Sequence, residues 1–250
     1  MILDLFNLTG KVAVVTGSST GLGQGMCIAL AEAGAKVLGV DYVESTATKE
    51  IIGENFEFML ANLLTIEPIE DIVKTANQKF GRIDILVNNA GIIKRNDALD
   101  FTEQEWDDVI NINLKTLFFL SQRVTREFVA NKINGKIINI ASMLSFQGGI
   151  RVPSYTASKS AVKGITMSMA NEWAKYGICI NAIAPGYMAT NNTANLRKDE
   201  KRSEEILERI PAGRWGTPSD MMGAVVFLAS NASDYVNGFT LAVDGGWLAR

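Results

Sequence analysis

Tyr155 stands four residues before Lys159 in the stretch "RVPSYTASKSA", residues 151–161. On a helix that spacing places both side chains on one face. The chain of 250 residues contains no histidine, so any acid–base chemistry near neutral pH must use another proton carrier. A free tyrosine ionises near pH ~10, and holding it as a phenolate near neutrality takes roughly 4 kcal/mol of differential stabilisation. An ammonium one helical turn away has the right sign of charge. Taken alone, the pair is more simply a helix surface. Ser142, ending an apolar run, could orient a reacting oxygen by hydrogen bonding or merely close a turn. Asn113, inside the apolar "INLKTLFFL", could be no more than a buried, satisfied amide.

These residues need elements to carry them. Short apolar runs, "KVAVVTG", "AKVLGVD", "NFEFMLAN", "IDILVNNAG", "GKIINIAS", "ICINAIAPG" and "FTLAVDGG", alternate with segments of helical periodicity at about 22–33, 65–80, 103–130, 154–175 and 218–230. That alternation predicts an α/β fold: one doubly wound, seven-stranded parallel sheet of Rossmann type, covered by helices on both faces. One domain over 1–250 is expected, with a polar, charged insertion at about 188–212. Ligands of such sheets bind outside the carboxyl ends of the strands, where this chain places Gly17, Asp41, Asn62, Asn88 to Gly91, Ser142 and Pro185-Gly186.

The first strand runs into "TGSSTGLGQG". Gly17, Gly21 and Gly23 lie between strand and helix, where absent Cβ atoms let the backbone approach a pyrophosphate and the helix N-terminus favours its charge. The spacing is G-x-x-x-G-x-G rather than the common G-x-G-x-x-G, and neither a Walker loop nor a nucleophile elbow fits. Asp41 follows Gly23 by eighteen residues, at the end of the second strand. An acid there accepts hydrogen bonds from a ribose diol and repels a 2′-phosphate, and no Arg or Lys stands in "SSTGLGQ" or directly after Asp41 to offset it. NAD is therefore expected over NADP.

Composition excludes several other classes. Hydrophobic residues make up 47% and charged residues 20%, with a net charge of −3; this describes a folded globular chain with no electrostatic footprint for nucleic acid. No run of about 18 apolar residues suggests a membrane span, and no N-terminal targeting pattern is visible, so a cytoplasmic location is expected. Cys27 and Cys179 lie in apolar runs without disulfide or metal-binding spacing, and no metal site is expected. Three polar segments could contact a substrate: "GIIKRND", "MLSFQGGIRVPS" and "YMATNNTANLR". Their amides and guanidinium groups suit hydroxyls and a carboxylate better than an acyl chain or steroid. Candidate substrate residues are Ser142, Gln147, Arg151, Tyr155 and Asn192. Arg151 is a candidate carboxylate clamp, or else a surface or interface ion pair. Met143 and Met188 are the methionines placed to touch a ligand.

Over nearly its whole length the sequence resembles the short-chain dehydrogenases/reductases. "TGSSTGLG" is similar to their cofactor loop, "NNAG" at 88–91 to their fourth-strand motif, and Asn113, Ser142, Tyr155 and Lys159 to their catalytic set. The resemblance implies a catalytic Tyr–Lys pair, a proton relay ordered by Asn113, and a segment after "PG" that closes over nicotinamide through Pro185, Gly186, Met188 and Thr190. It further implies cofactor contacts at Gly17, Ser19, Gly21, Leu22, Gly23 and Asp41, at Asn62 and Leu63, at Asn89, Ala90 and Gly91, and at Tyr155 and Lys159. Asn62 departs from the family's usual Asp beside adenine. The segments around the catalytic serine and tyrosine, with "IPAGRWG" and the C-terminus, resemble the branch of the family that acts with NAD on six-carbon sugar acids of uronate and pectin breakdown. That implies interconversion of a secondary alcohol and a ketone, and a homotetramer. The alternatives are a 3-oxoacyl-carrier-protein reductase, usually NADPH-dependent, and a sensor or scaffold that binds NAD without turnover.

Overall fold

A computed structural model describes residues 1–250. Seven strands form one parallel sheet: β1 (Val12–Thr16), β2 (Lys36–Asp41), β3 (Phe56–Leu60), β4 (Ile85–Asn88), β5 (Lys136–Ile140), β6 (Cys179–Pro185) and β7 (Thr240–Val243). Their order across the sheet is β3-β2-β1-β4-β5-β6-β7. β1, β4, β5 and β6 are buried at every position, which is why they read as continuous apolar runs rather than alternating ones. The order reverses between β1 and β4, so adjoining connections leave in opposite directions and open a crevice at the carboxyl ends.

Helices α1 (Gly21–Glu32), α2 (Thr46–Ile52), α3 (Ile69–Phe80), α4 (Glu103–Ile110), α5 (Leu117–Ala130), α6 (Pro153–Trp173), α7 (Ala194–Lys198), α8 (Glu200–Arg209) and α9 (Pro218–Ala229) cover the sheet and its rim. One core cluster packs α1 and α9 on one face through Met26, Leu30, Val225 and Leu228. The other packs α3, α5 and α6 through Ile72, Val124, Phe128 and Met169. Cys27 and Cys179 are buried and unpaired.

The helix expected over 103–130 is present over those bounds, but a π-helical turn over Asn111–Thr116 joins α4 to α5. Its wider turn leaves no trace in apolar periodicity, and such turns concentrate at functional sites. α2 follows β2 within a stretch with too few apolar residues to show a period; it is tied instead by Thr48, whose hydroxyl donates to the Ser18 carbonyl at 3.0 Å. The polar insertion at 188–212 is largely helical, and its charged stretch "LRKDEKRSEE", read in sequence as a solvated helix face, spans α7 and α8, where Ile206 is the one buried residue.

Candidate active site

The glycine loop is closed on itself. Gly17 and Gly21 have φ of +69° and +58°, a region costly for residues with a Cβ. A Cβ at Gly23 would overlap the Gly17 carbonyl oxygen and stand 2.6 Å from Asn89 Nδ2. Asn89 Nδ2 donates to the carbonyls of Thr16 and Gly17 at 3.0 Å each. Thr16 Oγ1 in turn accepts from the Asn89 and Ala90 N–H groups at 3.0 Å each. The ends of β1 and β4 are thereby stitched together across the crevice. Thr190 lies opposite, its Cγ2 3.5 Å from where a Gly21 Cβ would sit. The segment after β6 therefore approaches the loop after β1, as a cleft closed from two sides requires.

Asp41 is 8% exposed. Its carboxylate accepts from the Ser19 N–H at 2.9 Å and the Tyr42 N–H at 2.7 Å. Ser19 Oγ lies 2.6 Å from Ser45 Oγ and donates to the Val43 carbonyl at 2.7 Å. The acid thus binds the glycine loop to the end of β2, and no lysine or arginine is paired with it. Asn62 is exposed, with its side-chain oxygen accepting from the Leu64 N–H at 3.0 Å, while Leu63 is buried beside it. Gly186 donates its N–H to the Val243 carbonyl at 2.9 Å, fixing the turn after Pro185. Met188 is 4% exposed and packs on Gly216.

Asn113 projects from the π-turn and is fully buried. Its Oδ1 accepts from the Ile92 N–H at 2.9 Å, and its Nδ2 donates to the Ile92 carbonyl at 3.0 Å and to Ser158 Oγ at 3.1 Å. One amide therefore holds the chain after β4 against α6. Lys159 is 4% exposed, and its Nζ donates to the Ile140 carbonyl at 2.6 Å, 5.6 Å from the centroid of the Tyr155 ring. Burial pulls the Lys159 ammonium down to about 8. Burial also pushes the Tyr155 phenol up, opposed by a hydrogen bond with Ser142 and by the charge of Arg95. Ser142 is buried at the end of β5, where its Oγ accepts from the Leu144 N–H at 3.1 Å. The structure thus gathers Asn113, Ser142, Tyr155 and Lys159 at one rim, beside the glycine cleft.

The remaining candidates separate. Arg151 is 57% exposed at its side chain and pairs with Asp97, Nε to Oδ1 at 3.3 Å. Gln147 accepts from Arg209 Nη2 at 3.4 Å. The Asn192 carbonyl accepts from Arg95 Nη2 at 3.3 Å. Met143 is buried in an apolar cluster with Trp247. Three residues have partners that sequence reasoning did not supply. Arg95, in the polar segment "GIIKRND", donates to the Asn192 carbonyl across the rim. Ser158 lies inside the tyrosine–lysine spacing and anchors Asn113. Asn88 donates to Ser121 Oγ and Asn139 Oδ1 at 2.9 Å each, and Asn139 donates to Thr166 Oγ1 at 2.9 Å, a buried polar chain beneath the site.

The family model described as short chain dehydrogenase matches residues 11–201. The chain belongs to the short-chain dehydrogenases. The dehydrogenase is 64% identical to the 2-dehydro-3-deoxy-D-gluconate 5-dehydrogenase of Escherichia coli (strain K12), over the full length of both. It is 55% identical to the Bacillus subtilis (strain 168) protein of the same name, over 99% of this chain and 98% of that one. Among solved structures, a candidate 2-deoxy-D-gluconate 3-dehydrogenase from Agrobacterium tumefaciens with bound NADP is 50% identical, with a TM-score of 0.94 over 99% of this chain and all of that one.

The residues present fit a nicotinamide dinucleotide of the kind this family uses. The glycine loop, which turns through the positive φ of Gly17 and Gly21 and packs on itself at Gly23, leads into the N-terminus of α1, where backbone donors favour phosphate.

Proposed function

We propose that this dehydrogenase uses NAD to interconvert a secondary alcohol and a ketone on a six-carbon sugar acid, with C5 of 2-dehydro-3-deoxy-D-gluconate as the leading substrate position and C3 of 2-deoxy-D-gluconate as the second. The observation that carries this reading is the gathering of Asn113, Ser142, Tyr155 and Lys159 beside the glycine loop, with Lys159 Nζ 5.6 Å from the Tyr155 ring centroid and Asn113 bonded to Ser158 on the same helix. The names of the 64% and 55% identical relatives support the same substrate class.

When bound, the nicotinamide accepts or donates the hydride; the chain's part is to place the carbon and move the proton. Ser142 Oγ holds the reacting oxygen, and Tyr155 Oη exchanges its proton. The Lys159 ammonium favours the phenolate, and Asn113 keeps the α6 face in register with the end of β4. The test is a panel of sugar acids with NAD and NADP, read by reduced-cofactor absorbance. Turnover of 2-deoxy-D-gluconate or the 2-dehydro-3-deoxy acid supports the proposal. Preference for 3-oxoacyl thioesters, or tight NAD binding without turnover of any alcohol, overturns it.

Arg95 supplies the substrate's carboxylate partner in this reading, with Arg151 engaged by Asp97 instead. Loss of a charge-assisted bond predicts that Arg95→Ala raises the sugar-acid KM about 10- to 100-fold, with the NAD KM little changed. Arg151→Ala is expected to stay within about twofold. Equal effects of the two variants in steady-state kinetics would return the carboxylate to Arg151.

The choice of NAD rests on the buried Asp41 carboxylate with no cation paired to it. The Agrobacterium structure carries NADP, so the preference is to be measured directly. Asp41→Asn keeps an acceptor for the loop N–H and removes the charge. It is expected to raise the NADP-to-NAD ratio of kcat/KM at least about tenfold, worth about 1.4 kcal/mol; an unchanged ratio would remove Asp41 from cofactor choice. The homotetramer is supported by apolar side chains exposed on α4–α5 and beside β7, Trp106, Phe119 and Phe239 among them, and sedimentation velocity measures it.

A further inference from the structure

Apart from the two sheet cores, a small apolar cluster lies beside the catalytic rim. Met143, Ile206, Ile210 and Trp247 are buried together, with Tyr187, Trp215 and Leu248 packed against them. They come from several separate parts of the frame around the substrate side. Met143 follows Ser142, Tyr187 follows the Pro185-Gly186 turn, Ile206 is the buried residue of α8, and Trp247 belongs to the C-terminal tail. Trp247 is 4% exposed. Its ring meets Tyr187 edge-on with centroids 4.8 Å apart, and the Arg209 guanidinium lies 4.0 Å from its centroid. Arg209 also donates to Gln147, in the loop between Ser142 and Tyr155.

The tail is joined to the end of α8 by backbone as well. The Ala212 N–H donates to the Gly245 carbonyl at 3.0 Å, and Arg250 Nη2 donates to the Glu208 carbonyl at 3.3 Å. The Asp244 carboxylate accepts from the Gly246 and Leu248 N–H groups at 2.9 Å each, turning the tail toward the cluster. A ten-residue helix with one buried side chain has little stability of its own and is held by tertiary contact. Trp247 supplies that contact, yet its indole N–H is buried without an acceptor. Buried donors are nearly always paired, so what holds the ring in place is its apolar and cation–π surface rather than a hydrogen bond of its own.

We propose that Trp247 is a positioning residue: the C-terminal tail acts as a latch that holds α7–α8 over the substrate side and sets Met143 behind Ser142. This rests on the reading of the site as a sugar-acid dehydrogenase. Two measurements on the full chain separate the two claims. The first is the rate of tryptic cleavage in α7–α8 at Arg197, Lys198, Lys201 and Arg202, which needs no substrate. The second is the KM and kcat on the sugar acid beside the dissociation constant of NADH.

Trp247→Ala is expected to speed cleavage and raise the sugar-acid KM about tenfold each, with NADH binding within about twofold. Trp247→Phe restores most of both, and Arg209→Ala, which leaves the apolar cluster intact, falls between. Cleavage and KM both within twofold of wild type overturn the latch, as does a parallel loss of NADH binding, which marks general unfolding. If Trp247→Ala does not fold, Arg209→Ala decides: cleavage and KM within twofold of wild type in that variant overturn the latch. If the wild-type chain turns over no sugar acid, the functional reading fails and the cleavage rates alone judge the latch.

Discussion

Tyr155→Phe is expected to lower kcat by about 10³- to 10⁴-fold while the dissociation constant for NADH stays within a few-fold, measured by stopped-flow turnover and fluorescence titration. The phenylalanine keeps the ring and its packing and deletes only the group that carries the proton. General acid–base catalysis is worth about 10²–10⁴ in rate, and this chain has no histidine to substitute for it. Full activity in the variant would remove Tyr155 from the chemistry.

The same pair sets a pH dependence. Burial pushes the phenol up and pulls the Lys159 ammonium down to about 8. Oxidation of the alcohol needs the phenolate as base and should rise with pH, whereas ketone reduction needs the phenol and should fall. Lys159→Met removes the ammonium that favours the phenolate, which moves the rising limb of the oxidation profile to higher pH. A limb that stays in place would mean that Lys159 does not tune the tyrosine.

Gly23→Ala carries the second large effect. The added methyl would overlap the Gly17 carbonyl oxygen and stand 2.6 Å from Asn89 Nδ2 and 2.7 Å from the Gly17 carbonyl carbon. Neither neighbour is free to yield. The Gly17 N–H donates to the Val40 carbonyl at 2.8 Å, and its carbonyl is held by Asn89. Overpacking of this kind costs about 1–3 kcal/mol, so a fall in Tm of several degrees is expected. Affinity for NADH should drop more than about 100-fold, because the loop that must open is the phosphate cradle itself. An alanine variant with wild-type Tm and NADH affinity would show that the cradle is not as tight as its contacts imply.

Legibility in sequence differed from one feature to the next. Each central strand is a continuous apolar run because it is buried on both faces, and such runs are visible in sequence without any partner. The glycine loop was legible because glycine alone tolerates the φ and the close approach found at Gly17 and Gly23. The charged stretch of α8 was legible as a solvated helix face, but a single buried isoleucine cannot show in sequence what that helix packs against.

Sequence by itself determined the parallel sheet and the glycine loop, because apolar burial and backbone freedom act over a few residues. Tyr155, Lys159, Ser142 and Asn113 were singled out only through the resemblance to the family, since spacing alone leaves them as helix surface, turn and buried amide. Only the tertiary structure decided what the two arginines pair with: Arg151 turns to Asp97, while Arg95 Nη2 donates to the Asn192 carbonyl. It likewise decided that Asn113 stands in a π-turn gripping Ile92, and that Trp247 reaches back to α8. Such pairings join segments separated by tens of residues, and charge and packing between them exist only once the sheet has brought its strand ends together.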